Sequence, residues 1–176
     1  PAAVGSQRLE KPVLGVISDW TRYSDAEFVV AIGSPRTRLK VVEKMSGQAA
    51  PRFATIVHPS VHMSRFVSLR EGSLVAAGCI LTTDITIGRH CIVDRSVTVG
   101  HDCRLGDFVT IAPLAAVSGH VAIGDCVEVG AGALVRQGLS LAEGSLIGMG
   151  AVVTKAVGPR EVVVGNPARV LKKLDQ

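Results

Sequence analysis

The sequence predicts a mainly β protein, in which a parallel β-helix of hexapeptide repeats follows a partial Rossmann-like α/β segment. The first observation is that Val, Ile, Leu or Met occupies every sixth position from Val57 to Val153 without a gap. The second is that glycine often follows this position directly, as at Gly88 and Gly100. The third is that the residues before about position 54 lack the repeat. A fixed short period of this kind is the signature of stacked repeats.

A period of six matches neither the 3.6-residue turn of an α-helix nor the simple alternation of a strand. It fits short strands joined by tight turns, each strand forming one side of a triangular prism. Three sides make a coil of 18 residues, and stacked coils pair as parallel strands about 4.8 Å apart. The 97 residues from 57 to 153 give about five coils. We predict a β-helix domain over 54–157 and a C-terminal tail over 158–176.

The segment 1–53 is predicted to be α/β. Apolar runs predict strands at 13–17 and 28–32. Ser34 followed by Pro35 is a typical helix start, and the helix is expected to run to about Met45 and end near Gly47. Free N–H groups at Gly33 and Ser34 would suit an anion, although a plain strand-to-helix turn explains the same residues.

Composition excludes several classes of protein. Hydrophobic residues make up 47% of the 176 residues and charged residues 19%, which excludes intrinsic disorder. No apolar run approaches the roughly 20 residues of a membrane span, and no signal segment opens the sequence. The net charge of +4 comes without a dense basic stripe, so nucleic acid is not an expected partner. We expect a cytoplasmic protein with reduced cysteines.

The 18-residue coil decides which side chains meet. Cys79, Cys91 and Cys103 are twelve residues apart, so they fall on three faces and are expected to be buried thiols without a metal. His101 lies one coil below Gly119, and Asp102 one coil below His120. An imidazole beside a bare amide suits a general base next to an oxyanion donor, although a corner histidine is often only a surface residue.

Four stretches now indicate a family, and they lie at 100–108, 111–113, 129–133 and 163–169. On these residues the chain resembles the hexapeptide-repeat acyltransferases, which are left-handed β-helices that use acetyl-CoA. Among them it looks like the sugar acetyltransferases of the sialic acid O-acetyltransferase type. The N-terminal segment resembles the rear part of that family's Rossmann-like domain. The family's opening strand and Gly-rich loop have no counterpart in these residues.

The resemblance implies a role for each matching position. The catalytic set would be His101 as base, Asp102 as its acidic partner and the Gly119 N–H as oxyanion donor. The remaining residues implied to line the acetyl-CoA groove are Ala131, Met149 and, at the adenine end, Pro167. The residues implied for the sugar nucleotide are Asp19, Gly33, Ser34 and Asp94. Three positions depart from the family: Thr110 replaces a second histidine, Ser18–Asp19 replaces an acidic pair, and Asp94 replaces an asparagine.

The expected function is therefore direct acetyl transfer from acetyl-CoA to a sugar or nucleotide-linked amino sugar, in the biosynthesis of bacterial surface glycans. The resemblance implies a homotrimer with the site between neighbouring subunits, and no metal. One alternative is a non-catalytic scaffold or a module that binds sugar nucleotides. Another is a carbonic-anhydrase-like prism, which needs three histidines that converge across a subunit boundary.

Overall fold

The computed structural model describes residues 4–175, and a parallel β-helix forms most of it. We call its three faces A, B and C in the order in which the chain passes them. Face A holds β5 (Ile56–Val57), β8 (Leu74–Val75), β11 (Ile92–Val93), β14 (Thr110–Ile111), β17 (Glu128–Val129), β20 (Leu146–Ile147), β22 (Glu161–Val164) and β23 (Arg169–Lys173). Face B holds β6 (His62–Met63), β9 (Ile80–Leu81), β12 (Thr98–Val99), β15 (Ala116–Val117), β18 (Leu134–Val135) and β21 (Val152–Val153). Face C holds β7 (Val67–Leu69), β10 (Ile85–Ile87), β13 (Arg104–Leu105), β16 (Ala122–Ile123) and β19 (Ser140–Leu141).

The predicted repeat is confirmed strand by strand. Every predicted aliphatic position from Val57 to Val153 lies in its own strand, β5 to β21. The pairing of Val99 with Val117 shows the register, because parallel partners are 18 residues apart. From Val75 onward these side chains are at most 4% exposed and fill the prism. Close-packed aliphatic burial over this length is what stabilises a fold with so few aromatic residues.

The first coil differs from the coils above it. Val57 and Met63 occupy inward positions but are 36% and 38% exposed. An inward side chain is buried by the coils on both sides of it, and the first coil has a neighbour on one side only. The repeat predicts the direction of these side chains, whereas their burial depends on stacking.

The three turn regions stack into three corners, which we name AB, BC and CA after the faces they join. Several turn residues have positive φ without being glycine, including Asp102 (58°), Phe108 (59°) and His120 (56°). Backbone hydrogen bonds tie each corner to the next coil, as when the His120 N–H donates to the His101 carbonyl at 2.8 Å. This ladder offsets the strain of the left-handed conformation and fixes where each corner side chain projects.

The N-terminal segment is irregular. It contains β1 (Gln7–Arg8), β2 (Lys11–Pro12), a 3₁₀ helix (Ile17–Tyr23), β3 (Glu27–Phe28), α1 (Pro35–Ser46) and β4 (Arg52–Phe53). The predicted helix is confirmed: the Ser34 Oγ accepts the Thr37 N–H at 3.5 Å, and Gly47 ends the helix.

The two strands predicted before α1 are largely wrong. Residues 13–16 form no strand and run into the 3₁₀ helix, and the predicted strand at 28–32 is reduced to β3. The reason is pairing: β3 pairs only with β4, and the remaining apolar residues line an open cavity of about 560 Å³ instead of a sheet. A Rossmann-like segment is therefore not confirmed.

The end of the chain continues the β-helix. β22 pairs in parallel with β20, so face A extends beyond residue 157, where the sequence places the start of a tail. β23 then folds back antiparallel on β22. Within residues 4–175, no helix is long and apolar enough to cross a membrane. The predicted domain boundaries stay predictions.

Candidate active site

Corner BC brings His101 and Gly119 together, as the 18-residue coil predicts. The His101 imidazole lies flat against the glycine: a Cβ built on Gly119 would stand 2.7 Å from Nε2 and 2.8 Å from Cε1. Real Cβ atoms do not approach other heavy atoms this closely, so glycine is required if the ring is to keep its place.

Asp102 holds the imidazole from the other side. His101 Nδ1 and Asp102 Oδ2 are 2.7 Å apart, and this hydrogen bond lowers the pKa of Asp102. An ionised carboxylate can only accept, so Nδ1 carries the hydrogen and donates. Nε2 then keeps its lone pair, in the plane of the ring, which is the tautomer that a general base needs.

The Gly119 N–H is available to a ligand. None of the hydrogen bonds among residues 4–175 uses it as a donor. Gly100 keeps the approach open, because a Cβ there would lie 2.6 Å from the Gly119 nitrogen. Two glycines thus expose one backbone amide beside one imidazole. This is the arrangement that can stabilise a developing oxyanion while a proton is removed.

His120 belongs to the same cluster. Its Nε2 lies 3.7 Å from Asp102 Oδ2, and its ring meets that of His101 edge to face at 4.8 Å between centroids. The sequence placed His120 above Asp102 as a possible pair, and the structure adds the contact with His101. All three side chains are about half exposed.

Cys103 is close to the site in sequence, but its thiol is buried inside the prism. Its Sγ points inward and lies 3.2 Å from the Ser118 carbonyl. Burial raises the pKa of the Cys103 thiol, and likewise that of Cys79, while it raises that of Cys91 to about 12. The prediction that these three are buried thiols is confirmed, because each is at most 1% exposed.

The predicted acetyl-CoA residues lie at another edge. Ala131 and Met149 stack at corner AB, where the Gly150 N–H donates to the Ala131 carbonyl at 2.8 Å and Met149 is 82% exposed. Pro167 follows β22 above the same corner. Asp94 directly precedes corner AB and pairs with Arg95 at 3.2 Å. The full width of face B separates this set from His101 within one protomer.

The other predicted sugar-nucleotide residues lie near corner CA. Asp19 is occupied locally, since its Oδ2 accepts the Val16 N–H at 3.1 Å, and it lines the N-terminal cavity. The Gly33 carbonyl accepts the Thr110 hydroxyl at 2.7 Å, which fastens the start of α1 to face A. Ser34 is used as the helix cap. Within one protomer the predicted catalytic residues therefore lie at corner BC and the other predicted acetyl-CoA residues at corner AB. The predicted sugar-nucleotide residues are divided between corner CA and, for Asp94, corner AB.

Sequence reasoning missed Arg38, the residue that docks the N-terminal segment on corner CA. Its guanidinium is fully buried and donates to the carbonyls of His90 at 2.7 Å and Phe108 at 2.9 Å, and to the Thr110 hydroxyl at 2.9 Å. It also donates to the carbonyls of Ile32, Gly33 and Val109. Burial lowers the pKa of Arg38. No sequence signal separates it from the other basic residues of α1.

Comparison with known proteins adds independent findings. Residues 120–155 match the model of the family described as "Hexapeptide repeat of succinyl-transferase". No curated protein sequence matches the chain significantly.

Solved structures match over nearly the whole chain. The acetyltransferase domain of PglB from Neisseria gonorrhoeae, in complex with acetyl coenzyme A, has a TM-score of 0.90 and 30% identity and covers 97% of this chain and 83% of its own. PerB from Caulobacter crescentus, in complex with CoA and GDP-perosamine, has a TM-score of 0.89 and 30% identity, with coverages of 93% and 80%. WeeI from Acinetobacter baumannii has a TM-score of 0.77 and 32% identity, with coverages of 95% and 81%.

Proposed function

Because the chain belongs to the hexapeptide-repeat acetyltransferases, we propose that it transfers the acetyl group of acetyl-CoA to the amino group of a nucleotide-linked amino sugar. The observation that carries the proposal is corner BC, where the His101 Nε2 and the free Gly119 N–H lie side by side. The choice of acceptor rests on PerB, whose complex contains GDP-perosamine. A second matching structure from the same organism, a histidine-to-asparagine mutant in complex with CoA and GDP-perosamine, is described as a perosamine N-acetyltransferase.

The proposed reaction is direct transfer. The amine nitrogen attacks the thioester carbonyl and forms the new C–N bond while His101 Nε2 removes a proton from it. The carbonyl oxygen takes up the negative charge and accepts a hydrogen bond from the Gly119 N–H. When the tetrahedral intermediate collapses, the C–S bond breaks and the proton on His101 passes to the departing sulfur of CoA. Asp102 stays ionised and stabilises the imidazolium between these steps.

We further propose that the working unit is a homotrimer. Acetyl-CoA is assigned to corner AB beside Ala131 and Met149, with Pro167 at its adenine end, while His101 lies at corner BC. Packing of one protomer's corner AB beside another's corner BC would bring thioester and base together. The outer surface of face B supports this packing, because Ile80 and Leu134 are 44% and 47% exposed there.

The cytoplasm, which supplies acetyl-CoA, is the proposed location of the protein.

The test is an acetyl-transfer assay on the purified chain. Acetyl-CoA is offered with GDP- and UDP-linked amino sugars, and free thiol is followed with a chromogenic disulfide. We expect thiol release that depends on the amino sugar and a product heavier by one acetyl group. The same nucleotide sugars with a hydroxyl in place of the amine distinguish N- from O-acetylation.

The result against the proposal is equally concrete. A folded protein that binds no acetyl-CoA in calorimetry, and releases no thiol with any acceptor, would be a scaffold or a binding module. The trimer is tested separately by sedimentation, since a monomer with full activity would contradict the shared site.

A further inference from the structure

We propose that His101, Asp102 and His120 form a site for one divalent transition-metal ion, typified by Zn²⁺, and that the bound ion inhibits acetyl transfer. One nitrogen from each histidine and one carboxylate oxygen lie within 4.8 Å of one another. Two imidazoles and a carboxylate are a ligand set that zinc accepts, with a fourth position left for water. The inhibitory part rests on the proposed function, whereas the metal site itself does not.

The backbone places these ligands in advance. Asp102 and His120 occupy equivalent positions in successive coils, and both have positive φ, so their side chains leave the corner in parallel. The Asp102 N–H donates to the Thr83 carbonyl at 3.1 Å, and the His120 N–H to the His101 carbonyl at 2.8 Å. The three ligands are thus held by the coil ladder rather than by a flexible loop.

The distances are close to those that a metal needs. Ligand atoms of a tetrahedral zinc ion are about 3.3 Å apart when the bonds are about 2.0–2.2 Å. Asp102 Oδ2 lies 2.7 Å from His101 Nδ1 and 3.7 Å from His120 Nε2, and the ligand nitrogens of the two histidines lie within 4.8 Å of each other. The required value falls within this range. Small rotations of exposed side chains close the difference.

The local charge also favours a cation. Asp84 occupies the position one coil below Asp102, and both are carboxylates, while Arg104 is the cation that acts on Asp102 along with the two histidines. Of the three ligating groups Asp102 carries the negative charge, which attracts a cation when the two histidines are neutral, their metal-binding form. Other coils of corner BC carry the cations Arg65, Arg136 and Lys155.

Inhibition follows from the tautomer. Without metal, Nδ1 of His101 carries the hydrogen and Nε2 is the free base. A metal ion that binds Nδ1 displaces this hydrogen, and the neutral ring then carries its only hydrogen on Nε2. The nitrogen that faces Gly119 can no longer accept a proton. The ion sits on the outer side of the ring, away from the Gly119 N–H, so binding of acetyl-CoA should not change.

The binding test uses Co²⁺ and Zn²⁺ on chelator-treated protein. We expect one ion per chain by calorimetry and visible Co²⁺ absorption typical of a four-coordinate site. His120→Asn should weaken Zn²⁺ binding at least 10-fold, whereas His62→Asn, at an exposed histidine on β6, should not change it. A folded protein that binds no ion, or binds it equally well with His120→Asn, overturns the site.

The activity test separates the two proposals. Zn²⁺ should lower kcat at least 10-fold, leave the KM for acetyl-CoA unchanged and be reversed by chelator, and the inhibition should weaken in His120→Asn. Competition with acetyl-CoA, or activation by Zn²⁺, overturns the inhibitory role. If the ion binds as expected but no acceptor is ever acetylated, the metal site stands and the proposed function fails.

Discussion

Corners BC and CA are built on the same backbone turn and differ in what lies above each amide. At corner CA the Arg89 N–H donates to Asp107 Oδ1 and the Asp107 N–H to Asp125 Oδ1, both at 2.7 Å. At corner BC the residue above His101 is Gly119, which has no side chain to offer. At corner CA aspartate side chains accept the backbone N–H groups. At corner BC the Gly119 N–H has no acceptor among the described residues and is available to a ligand.

The difference shows how a repeat protein acquires a site without a special loop. At corner CA a carboxylate one coil above accepts the backbone N–H and removes it from use. At corner BC the equivalent positions carry Gly119 and Gln137, and Gln137 accepts no hydrogen bond from the Gly119 N–H in the described residues. That amide therefore stays free, and His101 one coil below supplies an imidazole. A corner that only stabilises the fold and a corner that can bind a ligand therefore differ in three or four residues on the same backbone.

The largest effect is expected from removing the proposed base. His101→Ala should lower kcat at least 100-fold, because a positioned general base contributes about 10²–10⁴-fold. The measurement is steady-state thiol release under saturating acetyl-CoA. The imidazole is half exposed and makes no core contact, so thermal unfolding should stay close to that of the parent. A variant with near-normal turnover would remove His101 from the chemistry.

A second substitution makes corner BC more like corner CA. Gly119→Ala places a Cβ 2.7 Å from His101 Nε2, so the ring must turn away from the amide. We expect kcat to fall about 10–100-fold, since misplacing one catalytic group by about 1 Å is costly. Gly138→Ala, at the next coil of the same corner, has open space for its Cβ but a φ of 73°, so it measures what added backbone strain at this corner costs without any contact with His101. Equal losses in both variants would contradict a specific role for Gly119.

The sequence predicts the β-helix well and the N-terminal segment poorly, for a physical reason. A period of six over seventeen strands fixes the direction of each side chain, so the contact of His101 with Gly119 follows from counting by 18. Val13–Ile17 and Phe28–Ile32 are as apolar as true strands, but a strand needs a hydrogen-bonded neighbour, which local sequence does not reveal. The docking role of Arg38 is not predictable, because its partners on the β-helix, which include the His90 and Phe108 carbonyls, are distant in sequence. Whether the predicted ligand residues, which lie on different edges of one protomer, meet in one site depends on how subunits pack. The six-residue period of one chain carries no information about that packing.

The next prediction opens corner CA instead. Asp107→Ala leaves the Arg89 N–H and guanidinium without their acceptor, so the free energy of unfolding should fall by about 1–2 kcal/mol. The kcat should stay near that of the parent, because Asp107 lies across face C from His101. Denaturant titration and the thiol assay measure the two quantities.

The lowered pKa of Asp107 also predicts that the free energy of unfolding depends on pH. Burial raises its pKa, but the hydrogen bonds from Arg89 outweigh burial and hold the pKa below its usual value. Its contribution is therefore present above about pH 4 and is lost as the pH falls through the lower folded-state value. The stability difference between parent and Asp107→Ala should shrink in acid. A difference that is constant down to pH 2 would mean that packing, not charge, is lost.

The smallest expected effect is a pH dependence of stability due to His90, which lies on the side of corner CA that faces α1. The His90 ring stacks on Phe108 at 5.0 Å and meets Phe53 edge-on at 4.5 Å, and its Nδ1 has no partner among the described residues. Burial lowers the pKa of His90; Glu71 and Asp107 oppose this shift, whereas Arg89 and Arg38 add to it. The folded protein therefore holds His90 neutral at pH values where the unfolded chain protonates it.

The unfolded chain then binds more protons than the folded chain below about pH 6.5, so stability should fall as the pH falls through that window. The slope from one such group is at most about 1.4 kcal/mol per pH unit. His90→Phe keeps an aromatic ring in the same pocket and should flatten the dependence, whereas His62→Phe at an exposed position should not. Denaturant unfolding between about pH 5 and 8 decides the matter. Parallel curves for the parent and His90→Phe would show that His90 titrates alike in both states, and the docking of α1 on corner CA would then be insensitive to this proton.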